Sequence, residues 1–216
     1  GVLHRLDRIA GLYRKFPVQP FRARAERRIV DWILRHQEAD GCWGGIQPPW
    51  VYSLIALHHL GFPPSHPVME KGYAGFEGYA IEDEDTCMVQ ACMSPVWDTC
   101  LAQQALLESG VAEDDPMVCR STRWLLDQQI LTTGDWQVRA KNTQPGGWSF
   151  EFHNDQYPDI DDASEVVMAL TSARLDPGID HLREEAIGRG VEWLLALQSR
   201  NGGWAAFDKD NGRKHL

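Results

Sequence analysis

No apolar run in this 216-residue sequence reaches the roughly 18 residues that a membrane-spanning helix needs. No signal peptide opens it. Cysteine is scarce. The five present, Cys42, Cys87, Cys92, Cys100 and Cys119, are odd in number and fit no disulfide framework or zinc spacing, so they read as reduced packing residues of a cytosolic chain. Basic residues are outnumbered, 21 against 31 acidic ones. The formal net charge of −10 speaks against wholesale binding of nucleic acid or of an anionic surface. What positive charge there is crowds the start: Arg5, Arg8, Arg14, Lys15, Arg22, Arg24, Arg27 and Arg28. There is no nucleophilic triad. There is no phosphate loop either, because the Gly-Gly pairs precede Trp or Ile rather than Lys-Ser/Thr. The first residue is not Met, and the last three, Lys214-His215-Leu216, follow the start of a new loop, so both ends are expected to be cuts. With 43% hydrophobic and 24% charged residues, the chain can build one globular core or part of a larger one.

What the sequence does have is a repeat. Trp32-Ile33-Leu34-x-x-Gln37, Trp124-Leu125-Leu126-x-x-Gln129 and Trp193-Leu194-Leu195-x-x-Gln198 share one pattern. Each Gln is followed by a Gly-Trp turn, read as Gly41-x-Trp43, Gly134-x-Trp136 and Gly202-Gly203-Trp204. Apolar residues upstream keep helical spacing, so each copy is expected to end an amphipathic helix, with Gly as its left-handed cap. Between these lie helices that are more apolar all round and open near proline, at Pro49-Trp50, Pro95-Val96 and Pro158-Asp159. Alternating one-faced and all-round apolar helices predict an all-α fold, an α/α barrel (toroid) of outer and inner helices, incomplete over residues 1–216. A plain α-solenoid that binds peptides is the alternative.

The chemistry concentrates at Asp159-Ile160-Asp161-Asp162, the predicted start of an inner helix. One Asp there would be a cap. Three acids in four residues exceed capping and repel one another, so one proton tends to be retained. The helix N-terminus favours the anion left when that proton departs. Calcium or magnesium is the rival reading, since both take oxygen ligands, but His153 and Asn154 give a cage poor support. Aromatic residues (Trp97, Trp148, Phe150, Phe152, Tyr157, Trp204 and Phe207) fall at inner-helix starts or in Gly-Trp loops. Most of the nine Trp are ordinary core, yet aromatic faces stabilise cations by about 0.5–2 kcal/mol each. An acid beside an aromatic cavity suits protonation of an alkene and control of the resulting carbocation.

Four stretches carry a family resemblance: Trp43 to Trp50; Gln90 to Thr99; Gly146 through Asp162; and Gln198 to Trp204 with Phe207-Asp208. They resemble squalene–hopene cyclases nearly end to end, and the three Gln-Gly-Trp repeats resemble that family's QW motifs. The resemblance implies two α/α barrel domains around a cavity and a monotopic protein on the cytoplasmic face of the membrane. It further implies a homodimer, squalene as substrate, hopene and hopanol as products, and no metal or organic cofactor. By the motif match Asp161 is the general acid, supported by Asp159 and Asp162. Trp97, Phe150 and Phe207 fall on cavity-lining positions. Ile46, Gln47 and Pro48 fall near the site of final proton loss or water addition.

This sequence departs from the family pattern at three points. Ala163-Ser164 follows the acids where Thr is usual, His153 stands where Asp is common, and the segment supplying the acid's histidine partner is not present. A class II diterpene cyclase acting on a diphosphate and a non-catalytic α/α binding module stay open. An oxidosqualene cyclase fits less well, because Asp162 occupies a place usually held there by Cys.

Overall fold

The computed structural model describes residues 2–15 and 20–212, so Gly1, Phe16 to Gln19 and Arg213 to Leu216 lie outside the described residues. Two compact units divide the chain between His36 and Gln37. The first contains helices α1 (Val2–Lys15) and α2 (Arg22–Arg35). In it the Trp32 ring stacks on His36 with centroids 4.1 Å apart, and Arg22 pairs with Glu26 one turn on.

The second unit holds α3 (Gln47–His59), α4 (Pro67–Glu77), a hairpin of β1 (Ala80–Glu82) and β2 (Cys87–Val89), α5 (Pro95–Glu108) and α6 (Pro116–Asp127). After them come a 3-10 turn at Asp135–Val138, α7 (Ile160–Thr171) and α8 (Asp180–Ala196). Among the described residues the fold is all-α apart from this one hairpin, which the helical periodicity does not foresee. The hairpin pairs Ala80 with Val89 and Glu82 with Cys87, and Asp83 closes its turn by accepting from the Asp85 and Thr86 N–H groups.

The helices form layers. The apolar helix α5 packs on α7, the amphipathic α6 packs on α8, and each of α5 and α7 also contacts its sequence neighbour α6 or α8. The core between them includes Val96, Cys100, Leu125, Trp148, Val166 and Trp193, all at 1% exposure or less. Fully burying a large apolar side chain stabilises a fold by about 1.5–3 kcal/mol, so these residues fix the layer spacing. Gly190 lets α7 and α8 approach closely, because a Cβ there would meet Trp148 at 2.8 Å and Val167 at 2.9 Å. Proline stands in the first turn of α3 through α6, where its missing N–H costs nothing.

Two expectations about the repeat are corrected. Glycine does not cap the helices: α2, α6 and α8 end at Arg35, Asp127 and Ala196, and His36, Gln128 and Leu197 close them without left-handed backbone. Gly41 (φ +96°) and Gly202 (φ +87°) instead shape the turn beyond the Gln. The middle turn is also not Gly134-x-Trp136. Gln37 donates to Gly41 O (3.2 Å), Gln198 to Gly202 O (2.8 Å), and Gln129 to Gly146 O (2.9 Å). The residue after each Gln repeats one backbone bond as well: Glu38 N to Cys42 O, Ser199 N to Gly203 O and Ile130 N to Gly147 O, all 2.9 Å. The Trp204 indole donates to Leu194 O and the Trp148 indole to Leu125 O, each at 2.7 Å. The middle turn is therefore Gly146-Gly147-Trp148, and an insertion within residues 131–145 separates it from Gln129.

The Gln side chains also reach the next amphipathic helix. Gln37 donates to Val68 O in α4, and Gln129 donates to Ala186 O in α8, both at 2.9 Å. Gln129 additionally accepts from the Arg189 guanidinium at 2.8 and 3.0 Å. These bonds fasten each Gln, and the turn that follows it, to a helix further along the chain.

Candidate active site

Helix α7 begins where it does because Asp159 is extended (φ −122°, ψ 161°) and its Oδ1 accepts from the Asp162 N–H at 2.8 Å. That bond satisfies one of the helix's free donors. Asp159 is held from the other side too, its N–H donating to Trp148 O at 3.0 Å. The next N–H, of Ile160, donates to Ala206 O at 2.8 Å. The three acids consequently sit where the Trp148–Asn154 loop, the start of α7 and the Ala206-Phe207 loop converge.

The acids are not equivalent. Asp159 and Asp162 are 4% and 2% exposed, whereas Asp161 is open. Burial pushes the Asp162 carboxyl well above the usual carboxylate range, and the like charge of Asp159 adds to the rise. Burial raises Asp159 too, but the Asp162 backbone N–H and a hydrogen bond from the Asp162 side chain favour its anion. Asp162 Oδ1 is buried with no donor facing it. A carboxyl oxygen in that state is accounted for if it bears the proton and donates to Asp159. Burial and like charge thus favour retention of one proton by the pair, with Asp162 the more strongly raised of the two, beside an Asp161 that faces the open side.

Asp159, Asp161 and Asp162 line a cleft of about 370 Å³ together with Trp97, Phe150, Phe207 and Ile46. The structure therefore gathers seven of the nine predicted site residues around one space. Gln47 and Pro48 are not among the lining residues: Gln47 turns its amide to Gln90 O (2.6 Å) and Val89 O (3.3 Å), and Pro48 is exposed. Of the other aromatics, Trp148 is fully buried structure, and Phe152 stands edge-on to Trp124 with centroids 6.3 Å apart. Sequence reasoning sets Asn154 aside, yet it is 3% exposed, its Oδ1 has no donor, and it lines the cleft beside the acids. Its place in the motif running from Gly146 is the signal that could have found it. Among the described residues, acidic and thiol ligand atoms come together at Glu38, Asp40 and Cys42, where each already accepts from an N–H of its own loop, and not at the acid cluster.

A proton source, an acceptor-only neighbour and aromatic faces around an apolar cleft suit acid-initiated carbocation chemistry. The cleft has no matched basic partner for a diphosphate among its lining residues.

The sequence matches the family model of the squalene–hopene cyclase C-terminal domain over residues 93–216 and that of the N-terminal domain over residues 1–85. It is 47% identical to a squalene–hopene cyclase of Alicyclobacillus acidocaldarius over 207 residues, 95% of this chain and 32% of that protein. It is 40% identical to a dammaradiene synthase of Dryopteris crassirhizoma, across 95% of this chain and 30% of that protein. A squalene–hopene cyclase of Zymomonas mobilis is 33% identical, across 98% of this chain and 33% of that protein. The chain spans about a third of the length of these relatives. The cleft's residues and these matches together place the chain in the squalene–hopene cyclase family.

Proposed function

We propose that this chain is the middle third of a two-domain triterpene cyclase that converts squalene to hopene and hopanol without a metal or organic cofactor. The observation that carries the reading is the cleft uniting Asp159, Asp161 and Asp162 with Trp97, Phe150 and Phe207. Asp161, open to the cleft, protonates the terminal alkene. The Asp159–Asp162 pair keeps a proton at hand and replenishes it. The aromatic faces stabilise the cations as they form, by about 0.5–2 kcal/mol per ring and more when dry. Ile46 lies on the wall where proton loss or water capture ends the cascade, and Gln47 and Pro48 hold the backbone of that wall. The layered helices belong to an α/α barrel that the remainder of the protein closes, and the family resemblance supports a homodimer. Full-length protein incubated with squalene should give pentacyclic hydrocarbon and alcohol by gas chromatography, and none from geranylgeranyl diphosphate. The reverse preference would identify a diterpene cyclase, and no turnover of either a binding module.

We also place the protein on the cytoplasmic face of the membrane as a monotopic protein. No helix among the described residues is long and apolar enough to cross a bilayer. In the first unit, however, Leu12, Tyr13 and Phe21 are 67%, 51% and 74% exposed among basic residues, the composition of an interfacial segment. Phe16, between them, lies outside the described residues. Replacing Phe16 and Phe21 by Ser in the full-length protein should move it from the membrane to the soluble fraction. An unchanged distribution would refute the assignment.

A further inference from the structure

A second pair of acids lies behind the cleft wall, and the reaction outlined above does not use it. Glu38 sits in the loop beyond α2, and Glu151 follows the cleft-lining Phe150. Glu151 is 3% exposed. The hydrogen-bond accounting around the pair is specific. Glu38 Oε1 accepts from the Gly44 N–H at 3.0 Å, and the His153 backbone N–H donates to Glu151. Glu38 Oε2 and Glu151 Oε1 are both buried with no donor, and the two carboxyls lie close enough to perturb one another. Ionised carboxylates only accept, so two of them buried together with no donor repel unless a proton lies between them. One proton on Glu38 Oε2, donated to Glu151, satisfies both buried oxygens.

The surroundings favour a proton over a cation. Glu38, Asp40 and Cys42 bring their polar atoms within 4.8 Å of one another, but each already closes the loop. Asp40 Oδ1 accepts from Cys42 N (2.8 Å), Cys42 Sγ accepts from Gly45 N (3.0 Å), and Glu38 Oε1 serves Gly44. The other titratable groups facing the pair are Tyr79, whose hydroxyl donates to Gly45 O at 2.9 Å, together with His153 and Tyr157. The Lys71 ammonium donates to the Glu38 carbonyl, not to its carboxyl. Burial pushes Glu38 well above the ordinary carboxyl range, with Glu151 and Asp40 adding to the rise.

The position of the pair says what it does. Gly44 and Ile46 line one side of the cleft and Phe150 another. Gly45 between them has φ +65°, and a Cβ there would lie 2.2 Å from Glu151 Cγ, so the loop rests directly on the glutamate. We propose that Glu38 and Glu151 are positioning residues, a carboxylic acid–carboxylate pair sharing one proton that clamps the Gly44–Ile46 loop against the Phe150 segment and so sets the width of the cleft. Loss of the shared proton leaves two buried like charges back to back, and the loop lifts. The effect on turnover rests on the proposed cyclase reading, whereas the shared proton does not.

The test uses the full-length protein and Glu38→Gln. The glutamine amide donates to Glu151 and its oxygen still accepts from Gly44, so the clamp survives but cannot ionise. At about pH 6 the variant should turn over squalene within about threefold of wild type, and the high-pH limit of its activity should move up by about one unit or more. Glu38→Leu, which cannot donate, should lose activity at every pH through a raised KM and altered product distribution. Thermal midpoints give a readout independent of chemistry. A carboxyl raised in the folded state binds protons that the unfolded chain has released, so its stabilisation is complete below the ordinary carboxyl pKa. That stabilisation is lost as pH rises through the folded value. Between about pH 5 and pH 9 the wild-type midpoint should therefore fall relative to that of Glu38→Gln. Midpoints that keep a constant difference across that range would overturn the shared proton. So would a wild-type midpoint that drops on treatment with chelator and returns with a divalent metal. A pH-dependent midpoint difference with superimposable activity profiles would overturn the positioning role alone, and absence of squalene turnover in wild type would count against the cyclase reading and not against the pair.

Discussion

Asp161→Asn in the full-length protein is expected to lower squalene cyclisation by at least about a thousandfold while substrate still binds, because a positioned proton donor contributes about 10²–10⁴ and an amide cannot replace it here. The residue occupies the second position of α7 and faces the open cleft, two residues past the capping Asp159. Free N–H groups of the first turn and the helix dipole stabilise the carboxylate that proton transfer leaves behind. The substitution hardly alters shape, so the fold should be unaffected. Measured turnover within tenfold of wild type would remove Asp161 from the acid role.

The companion substitution identifies the donor. Asp162 is the more strongly raised carboxyl of the buried pair, and Asp162→Asn keeps an N–H to offer Asp159. If Asp161 is the donor and Asp162 its reservoir, Asp162→Asn should cost substantially less than Asp161→Asn at low pH. The gap should narrow as pH rises, since the variant has lost its stored proton. If Asp162→Asn is the more damaging of the two at every pH, the buried acid itself protonates the alkene and the motif match points one residue too early.

Which parts of this arrangement a sequence can disclose follows from the range of the forces involved. The start of α7 is legible because capping is local: Pro158 ends the preceding segment, and Asp159 reaches only to the third residue beyond it. The layered helices are legible because apolar periodicity reports which face is buried. The three acids look alike in a row, however. Consecutive helical residues point about 100° apart, so on the cleft wall Asp161 is left exposed while Asp162 is buried near Cys100. Only packing against α5 decides between them. The Glu38–Glu151 pair has no periodic or motif signature at all, since it is made by two loops distant in sequence that fold onto Gly45. The middle Gly-Trp turn is misread for a related reason. Gly134 and Trp136 lie at nearly the expected spacing from Gln129, and spacing cannot reveal that residues 131–145 contain an insertion.

That insertion makes the second large effect specific. Trp148→Ala should destabilise the protein by about 3–5 kcal/mol, the usual cost of emptying a fully buried tryptophan site. Trp204→Ala, whose ring is 46% exposed in this chain, should cost markedly less. Truncation alone would not distinguish Trp148 from Trp136, which is also buried, at 2%, and packs edge-on to Trp193. Replacement by Phe does. The Trp148 indole donates to Leu125 O near the end of α6, where the Gln129 N–H that would meet this carbonyl in a continued helix turns to Leu126 O instead. Trp148→Phe therefore strands a buried carbonyl, at about 1–3 kcal/mol. The Trp136 indole N–H is buried with no acceptor, so Trp136→Phe removes an unsatisfied donor and should be close to neutral. Thermal midpoints of the two Phe variants in the full-length protein, compared at one pH, give the answer. A Trp136→Phe loss equal to that of Trp148→Phe would mean that the indole bond to Leu125 contributes nothing distinctive, and Gly146-Gly147-Trp148 would lose its standing as the turn that joins α6 to α8.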